Sequence, residues 1–390
     1  MTDDGAKGGA GLPGAAPVSA VGQAGRIDWL KILILAVLAV LAVRALVVPA
    51  FVLNMLGYPV DYFYSEGDPL VYVNLLLKGQ SIYSDSRQYP LLGNLYPPVY
   101  FWIAAACARC FGPSLATLRL LALAPLAGTM LFTGLFLRRE KATAVLTAAA
   151  VLLVPCTYAL SLYFVIPRVD GWMAFFAFGS LYFFASPELQ ARDIVCGGVL
   201  AALALFTKQT AVFGVAAVGV HLLLARPRKG LAAGVAAALA CGLLLGVSLW
   251  RFGPQLLDSL TALTVRREWT ASRFTGLLVP ATASLSVLGG AGVARLAVHA
   301  VTRRWELLDT YLAGHALAGV LIMFEGSGIN YLLPLCPALC LAAVLSVRDM
   351  LAFWPRPAAA GAVALAGLHL VMQSACEAPF TVPDEKQMQE

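Results

Sequence analysis

The sequence predicts an all-α polytopic membrane protein of about eleven transmembrane helices, with a first extracytoplasmic loop that carries an interfacial helix. The first observation behind this is composition: of 390 residues, 60% are hydrophobic and 12% charged, with a mean hydropathy of +0.80. A water-soluble domain is about 45–50% apolar and about 25% charged, so the excess has no place in a water-facing fold. The second is a series of apolar runs of about 18–23 residues, the length that crosses ~30 Å of hydrocarbon. The net charge of +6 belongs mostly to loop Lys and Arg that orient such spans, not to a nucleic-acid-binding face.

Residues 1–28 are rich in Gly, Ala and Pro, which cannot bury a core and predicts a disordered cytoplasmic tail. The apolar run 29–53 is too long for a secretory signal and lacks a convincing cleavage site. It reads as the first span, and Arg26 and Lys31 favour a cytoplasmic start. Residues 54–116 form the first extracytoplasmic loop, one of two long polar breaks in the chain. Within it, 96–111 is apolar but short, begins with Pro97-Pro98 and contains Arg109, so it reads as a helix lying in the interface. The remaining spans are expected at 118–137, 142–163, 171–186, 192–206, 210–225, 231–250, 275–301, 308–324, 329–346 and 355–373. This order puts Arg138, Arg139 and Lys141 inside, with Arg192, the RPRK of 226–229 and Arg303-Arg304, as the charge rule prefers for short loops. One transmembrane domain, 29–375, is expected, followed by a short polar tail, 376–390.

With that topology, the polar residues sort by side. At the outer edge fall Glu66 and Asp68 in SEGD, Arg168 and Asp170 in PRVDGW, Lys208 and Gln209 in FTKQT, Arg266 and Arg267, and Asn330 in SGINYLLP. Charges beside a bilayer are expensive, so several of them converging from separate loops on one face point to a functional site. Lys208 has only a very tight turn between two apolar runs and must sit in or near a cavity or pair with an acid. Arg168 and Asp170, two positions apart on a helix, would not face each other. Tyr62, Tyr64 and Tyr96 lie in the same loop, although interfaces are rich in Tyr for other reasons. Cys107/Cys110 and Cys336/Cys340 have helical spacing but no second ligand pair, and the four histidines are scattered through apolar runs as packing or capping residues. No P-loop, dinucleotide fingerprint or G-x-S-x-G element is present.

The order SEGD, then PLVYVNLLLKGQSIYSD, then YPPVYFW and FGPSLATLRLL resembles the C-type membrane glycosyltransferases. These include protein O-mannosyltransferases, the aminoarabinose transferase of lipid A and bacterial lipopolysaccharide sugar transferases. The residues that carry the resemblance are Glu66-Gly67-Asp68, Tyr96-Pro97-Pro98, and Phe111-Gly112 with Arg119. PRVD, TKQT and SGINYLLP look like further elements of bacterial members. The paired Asp-Glu of many members is Ser65-Glu66 here. The resemblance implies two interfacial helices in the first extracytoplasmic loop and a cell-envelope enzyme of the plasma membrane, its active site facing the extracytoplasmic side. It would move a sugar from a polyprenyl-phosphate donor to a hydroxyl of a glycan, lipid or protein acceptor.

That chemistry needs a carboxylate to take the acceptor proton and positive charge to hold the departing phosphate. The resemblance makes Glu66 the first choice of base and Asp68 the second, with Asp68 alternatively orienting the acceptor or binding a divalent cation beside Glu66. No other cofactor is expected. Arg168 and Lys208, then Arg266 and Arg267, are the candidates for the phosphate. Asp170, Gln209, Tyr62, Tyr64, Tyr96 and Asn330 would position substrate. A single acid without a metal box fits direct inverting displacement. The competing reading is a transporter or flippase of lipid-linked or polar substrates, which predicts internal repeats and paired discontinuous helices; the spacing shows no repeat.

Overall fold

The computed structural model describes residues 29–58, 60–61, 66–83, 93–157, 163, 166–262, 271–324, 328–353 and 367. The tails 1–28 and 376–390, and the span expected at 355–373 apart from Gly367, lie outside the described residues. In chain order the helices are α1 (Trp29–Met55), α2 (Gly67–Leu77), α3 (Val99–Phe111), α4 (Leu115–Arg139), α5 (Ala144–Leu153), α6 (Val169–Phe184) and α7 (Ala191–Leu205). There follow α8 (Val212–Ala225), α9 (Pro227–Phe252), α10 (Gln255–Ala262), α11 (Ala271–Thr302), α12 (Leu307–Ala318) and α13 (Leu335–Phe353). Among the described residues the only β-pairing is an isolated bridge between Tyr83 and Gly93.

Each span expected up to 329–346 meets a helix, and four segments are long and apolar enough to cross a membrane: Ile32–Met55, Leu115–Arg139, Pro227–Phe252 and Leu285–Thr302. The last helix starts later than expected. Residues Ile329–Leu332 form a 3-10 turn, and α13 begins only at Leu335, just after Pro334.

Local chemistry sets the ends of these helices. Ser114 caps α4 by accepting a hydrogen bond from the Thr117 amide at 3.2 Å. Gly112, at φ +85°, terminates α3 in a conformation that L side chains rarely adopt. Helices α7 and α12 each open with a reciprocal capping box, Gln190 with Asp193 and Glu306 with Asp309.

The central helix is α6. Its aromatic-rich sequence, VDGWMAFFAFGSLYFF, is apolar all round, and such a helix belongs in an interior. It packs between α4 and α7, with most of its residues buried. Small residues let backbones approach, as is usual between helices in lipid. A Cβ on Gly198 of α7 would lie 2.9 Å from Ala236 Cβ and Ala237 N of α9, so no larger residue fits that crossing.

A second apolar cluster lies at one membrane edge. It unites Val73 and Leu76 of α2, Tyr100, Phe101 and Ala104 of α3, Tyr83, and Phe252 and Leu256 at the α9–α10 junction. The Phe252 ring stacks on Trp102 at 6.1 Å and meets Tyr83 edge-on at 5.0 Å. Burying each such side chain stabilises by about 1.5–3 kcal/mol, against about 1 kcal/mol net for a neutral hydrogen bond. The cluster therefore holds the first loop down, and the hydrogen bonds set its register. Those bonds include Arg251 Nη2 to the Gly79 and Gln80 carbonyls (2.9 and 3.2 Å) and the Tyr83 hydroxyl to the Tyr96 carbonyl (2.8 Å).

Candidate active site

The acid motif SEGD sits where the chain turns from α1 into α2. Glu66 is 2% exposed, and Arg119, from the first turns of α4, takes both of its carboxylate oxygens. Nε donates to Oε1 at 3.0 Å and Nη2 to Oε2 at 2.7 Å. The remaining donors go to backbone carbonyls: Nη1 to Met55 (2.6 Å) and Tyr58 (2.7 Å), and Nη2 to Val60 (2.9 Å). A guanidinium has five N–H donors, and all of Arg119's are used. Glu66, the expected base, thus has both carboxylate oxygens engaged by Arg119.

Asp68, two residues on, is exposed in the first turn of α2. Its charge, after burial, helps push the hydroxyl pKa of Tyr72, one helical turn away, up to about 12; Tyr96 adds to the same effect. Asp68 and Tyr96 thus both act on one tyrosine. Asp61, not among the expected site residues, accepts from the Gly67 amide at 2.9 Å and places a second exposed carboxylate beside the start of α2.

The second part of the site is built on Asp170, fully buried at the start of α6. Lys208 Nζ donates to its Oδ1 at 2.5 Å, and Asn330 Nδ2 donates to the same oxygen at 2.8 Å. Lys208 is 1% exposed and lies over the rings of Tyr331 (4.3 Å) and Tyr96 (5.7 Å). Burial works against its ammonium, but the Asp170 carboxylate, with Tyr96 and Tyr331 behind it, outweighs burial and raises the lysine pKa. Lys208 thus takes the acid-paired alternative. Arg168 also faces Asp170, Nε to Oδ2 at 3.6 Å. This corrects the expectation drawn from helical spacing: Arg168 is not in the helix but precedes it with extended backbone (φ −133°, ψ 165°), which turns its side chain back over Asp170. Its side chain is 21% exposed, and Tyr96 lies within electrostatic reach of it.

The two parts meet at α3. Val99 N donates to the Phe206 carbonyl at 3.1 Å and Gln209 Nε2 to the Leu95 carbonyl at 2.7 Å, so the FTKQT turn carries the YPP element. Gln209 therefore contacts backbone of the first loop. Tyr100, fully buried, lies within electrostatic reach of Glu66, Arg168 and Asp170. Among the described residues, Tyr100 Oη, Asp170 Oδ2 and Trp172 Nε1 are buried without a hydrogen-bond partner. The structure thus gathers Asp170, Lys208, Arg168, Asn330, Gln209 and Tyr96, with Asp68 reaching the group through Tyr72. Tyr62, Tyr64, Arg266 and Arg267 lie outside the described residues. Arg119 was visible only as one residue of FGPSLATLRLL, and nothing in its spacing marks Glu66 as its partner.

At Glu66 the Arg119 guanidinium occupies both carboxylate oxygens. Among the described residues, His299, Glu306 and Asp309 bring ligand atoms within 4.8 Å of one another at the opposite edge. There Arg295 already donates to Asp309 Oδ1 (2.8 Å) and Glu306 Oε2 (2.5 Å), and His299 Nδ1 pairs with Asp309 Oδ2 at 2.6 Å. The guanidinium supplies the positive charge a metal would bring. His299, expected as a packing or capping residue, is a member of this ionic cluster.

This arrangement of helices is a known one. The chain shares the fold of ArnT of Cupriavidus metallidurans bound to undecaprenyl phosphate, with a TM-score of 0.64 at 15% identity over 89% of this chain and 67% of that one. It also shares the fold of the archaeal oligosaccharyltransferase AglB of Archaeoglobus fulgidus in complex with an inhibitory peptide and a dolichol-phosphate. There the TM-score is 0.55 at 16% identity, over 92% of this chain and 57% of AglB. A third structure, an Archaeoglobus fulgidus oligosaccharyltransferase complex with Zn and sulfate, matches at a TM-score of 0.53 and 20% identity, over 89% of this chain and 54% of that one. No family model matches the sequence, and no curated protein does.

Proposed function

We propose that the protein is a membrane glycosyltransferase that moves a sugar from a polyprenyl-phosphate donor to an acceptor hydroxyl at the extracytoplasmic face. The observation that carries this reading is the gathering, at one edge of a fold shared with ArnT and AglB, of an exposed carboxylate, Asp68, and a partly exposed cation, Arg168. The fold favours the enzyme over the transporter reading. The acceptor, a glycan, lipid or protein hydroxyl, attacks the anomeric carbon as Asp68 takes its proton. The new carbon–oxygen bond forms while the bond from that carbon to the phosphate oxygen breaks, and the electron pair leaves on polyprenyl phosphate. Arg168 stabilises that charge, assisted by Arg266 and Arg267 of the outer loop.

In this reading Asp68 is the base, and Glu66 holds the loop for it through Arg119. Lys208, committed to Asp170, fixes the carboxylate that orients Arg168. Tyr96, Tyr62 and Tyr64 stack on sugar, and Asn330 and Gln209 hold the frame. The reaction runs in one inverting displacement, for a hexose or a pentose, in a chain of about eleven crossings. The test is sugar transfer from a polyprenyl-phosphate sugar by purified protein: Asp68→Asn slows transfer by about 10²–10⁴-fold and leaves polyprenyl-phosphate binding in place. Full activity of that variant would refute the assignment.

A further inference from the structure

A cleft of about 540 Å³ opens between the C-terminal end of α2, the outer face of α3 and the last turns of α9. Leu76, Ala106 and Val247 give it apolar walls, and Arg109, Trp250 and Arg251 stand around it. Among the described residues no acidic one lines it. Arg109 and Ala106 are exposed, and among the described residues no side chain pairs with Arg109. Trp250 is 85% exposed, the placement of an indole at headgroup level. Two guanidiniums with no carboxylate paired to them among the described residues, above an apolar wall at the membrane edge, complement an anionic headgroup carrying an acyl chain.

The cleft is separate from the candidate active site. Asp68 begins α2 and Leu77 ends it, so the two lie about 14 Å apart along the axis at 1.5 Å per residue. A phosphate between Arg109 and Arg251 would be too far along α2 to present an attached sugar to Asp68. Arg251 already ties α9 to the turn after α2 through the Gly79 and Gln80 carbonyls. A lipid seated beside it would extend that tie.

We propose that this cleft binds an anionic phospholipid of the surrounding membrane, its phosphate between Arg109 and Arg251 and its chain along Leu76 and Val247. The lipid fastens the first loop to α9. The inference does not rest on the proposed reaction.

The test is native mass spectrometry of the full chain in detergent, titrated with phosphatidylglycerol or with phosphatidylcholine of the same chains. The expected result is preferential retention of phosphatidylglycerol. Arg109→Gln weakens it about tenfold, the loss of one charge-assisted contact, without changing retention of phosphatidylcholine. Ala106→Trp, which fills the wall and keeps both charges, also expels the anionic lipid. Equal retention of the two lipids, or unchanged retention in both variants, would overturn the proposal. So would displacement of phosphatidylglycerol by equimolar polyprenyl phosphate, since the cleft would then belong to the donor.

Discussion

Arg119 and Glu66, 53 positions apart, form a bidentate ion pair at 3.0 and 2.7 Å with both side chains 2% exposed. Removing one partner of a buried pair leaves an uncompensated charge and costs about 3–5 kcal/mol. Arg119→Ala also strands the Met55, Tyr58 and Val60 carbonyls. Both Arg119→Ala and Glu66→Gln should lower the melting temperature of the purified protein, Arg119→Ala by more. The double variant should lose less than the sum of the two. Additive losses would show that the two residues act independently.

The Lys208–Asp170 pair gives a prediction in pH. The folded-state pKa of Lys208 is raised. Its contribution is therefore fully present below the unfolded lysine value of about 10.4 and is lost as pH rises through the folded value. Lys208→Met should lower stability by a constant amount from neutral pH to about pH 9, with the gap to the wild type narrowing only above about pH 10.4. The size should lie toward the low end of about 3–5 kcal/mol, because Arg168 still faces Asp170. Thermal melts over that range are the check, and a gap that closes near neutrality would contradict the pairing.

Arg168 is the partly exposed member of its group, with a side chain 21% exposed. Arg168→Gln should weaken polyprenyl-phosphate binding roughly 10- to 100-fold, the worth of one charge-assisted hydrogen bond at about 1.5–3 kcal/mol. The melting temperature of the ligand-free protein should change little, since Lys208 and Asn330 still hold Asp170. Isothermal titration with polyprenyl phosphate reads this directly. Unaltered affinity would leave the phosphate to Arg266 and Arg267.

Sidedness has its own test. Lys78 and Glu140 are both exposed, the first just after α2 and the second just after α4. In cells expressing single-cysteine variants, Lys78→Cys should react with an impermeant maleimide from outside, and Glu140→Cys only after permeabilisation. Labelling of residue 140 in intact cells would invert the orientation proposed for the whole site.

The helical fold was legible because lipid imposes one rule, long apolar runs, that needs no tertiary knowledge. The interfacial reading of 96–111 rested on Pro97-Pro98 and on length, and the structure has a helix of 13 residues there, Val99–Phe111. Convergence of Arg168, Asp170, Lys208 and Asn330 was readable from sidedness alone. Their pairing was not. Whether Arg168 faces Asp170 depends on one extended residue before a helix, and spacing rules assume the helix has already begun. The partner of Glu66 was hidden for a similar reason, since Arg119 lies two helices and a loop away and sits amid leucines. The ionic cluster of Arg295, His299, Glu306 and Asp309 follows from an i, i+4 pair meeting a capping box across a turn, a contact that apolar patterning does not reveal.

The central claim is that Asp68, not Glu66, takes the acceptor proton. Single-turnover sugar transfer by Asp68→Asn, with its melting temperature and polyprenyl-phosphate affinity measured alongside, tests it most directly. The account predicts a fall in rate of about 10²–10⁴-fold, the usual worth of a general base, with both controls near wild type. A variant that transfers sugar at the wild-type rate would contradict it.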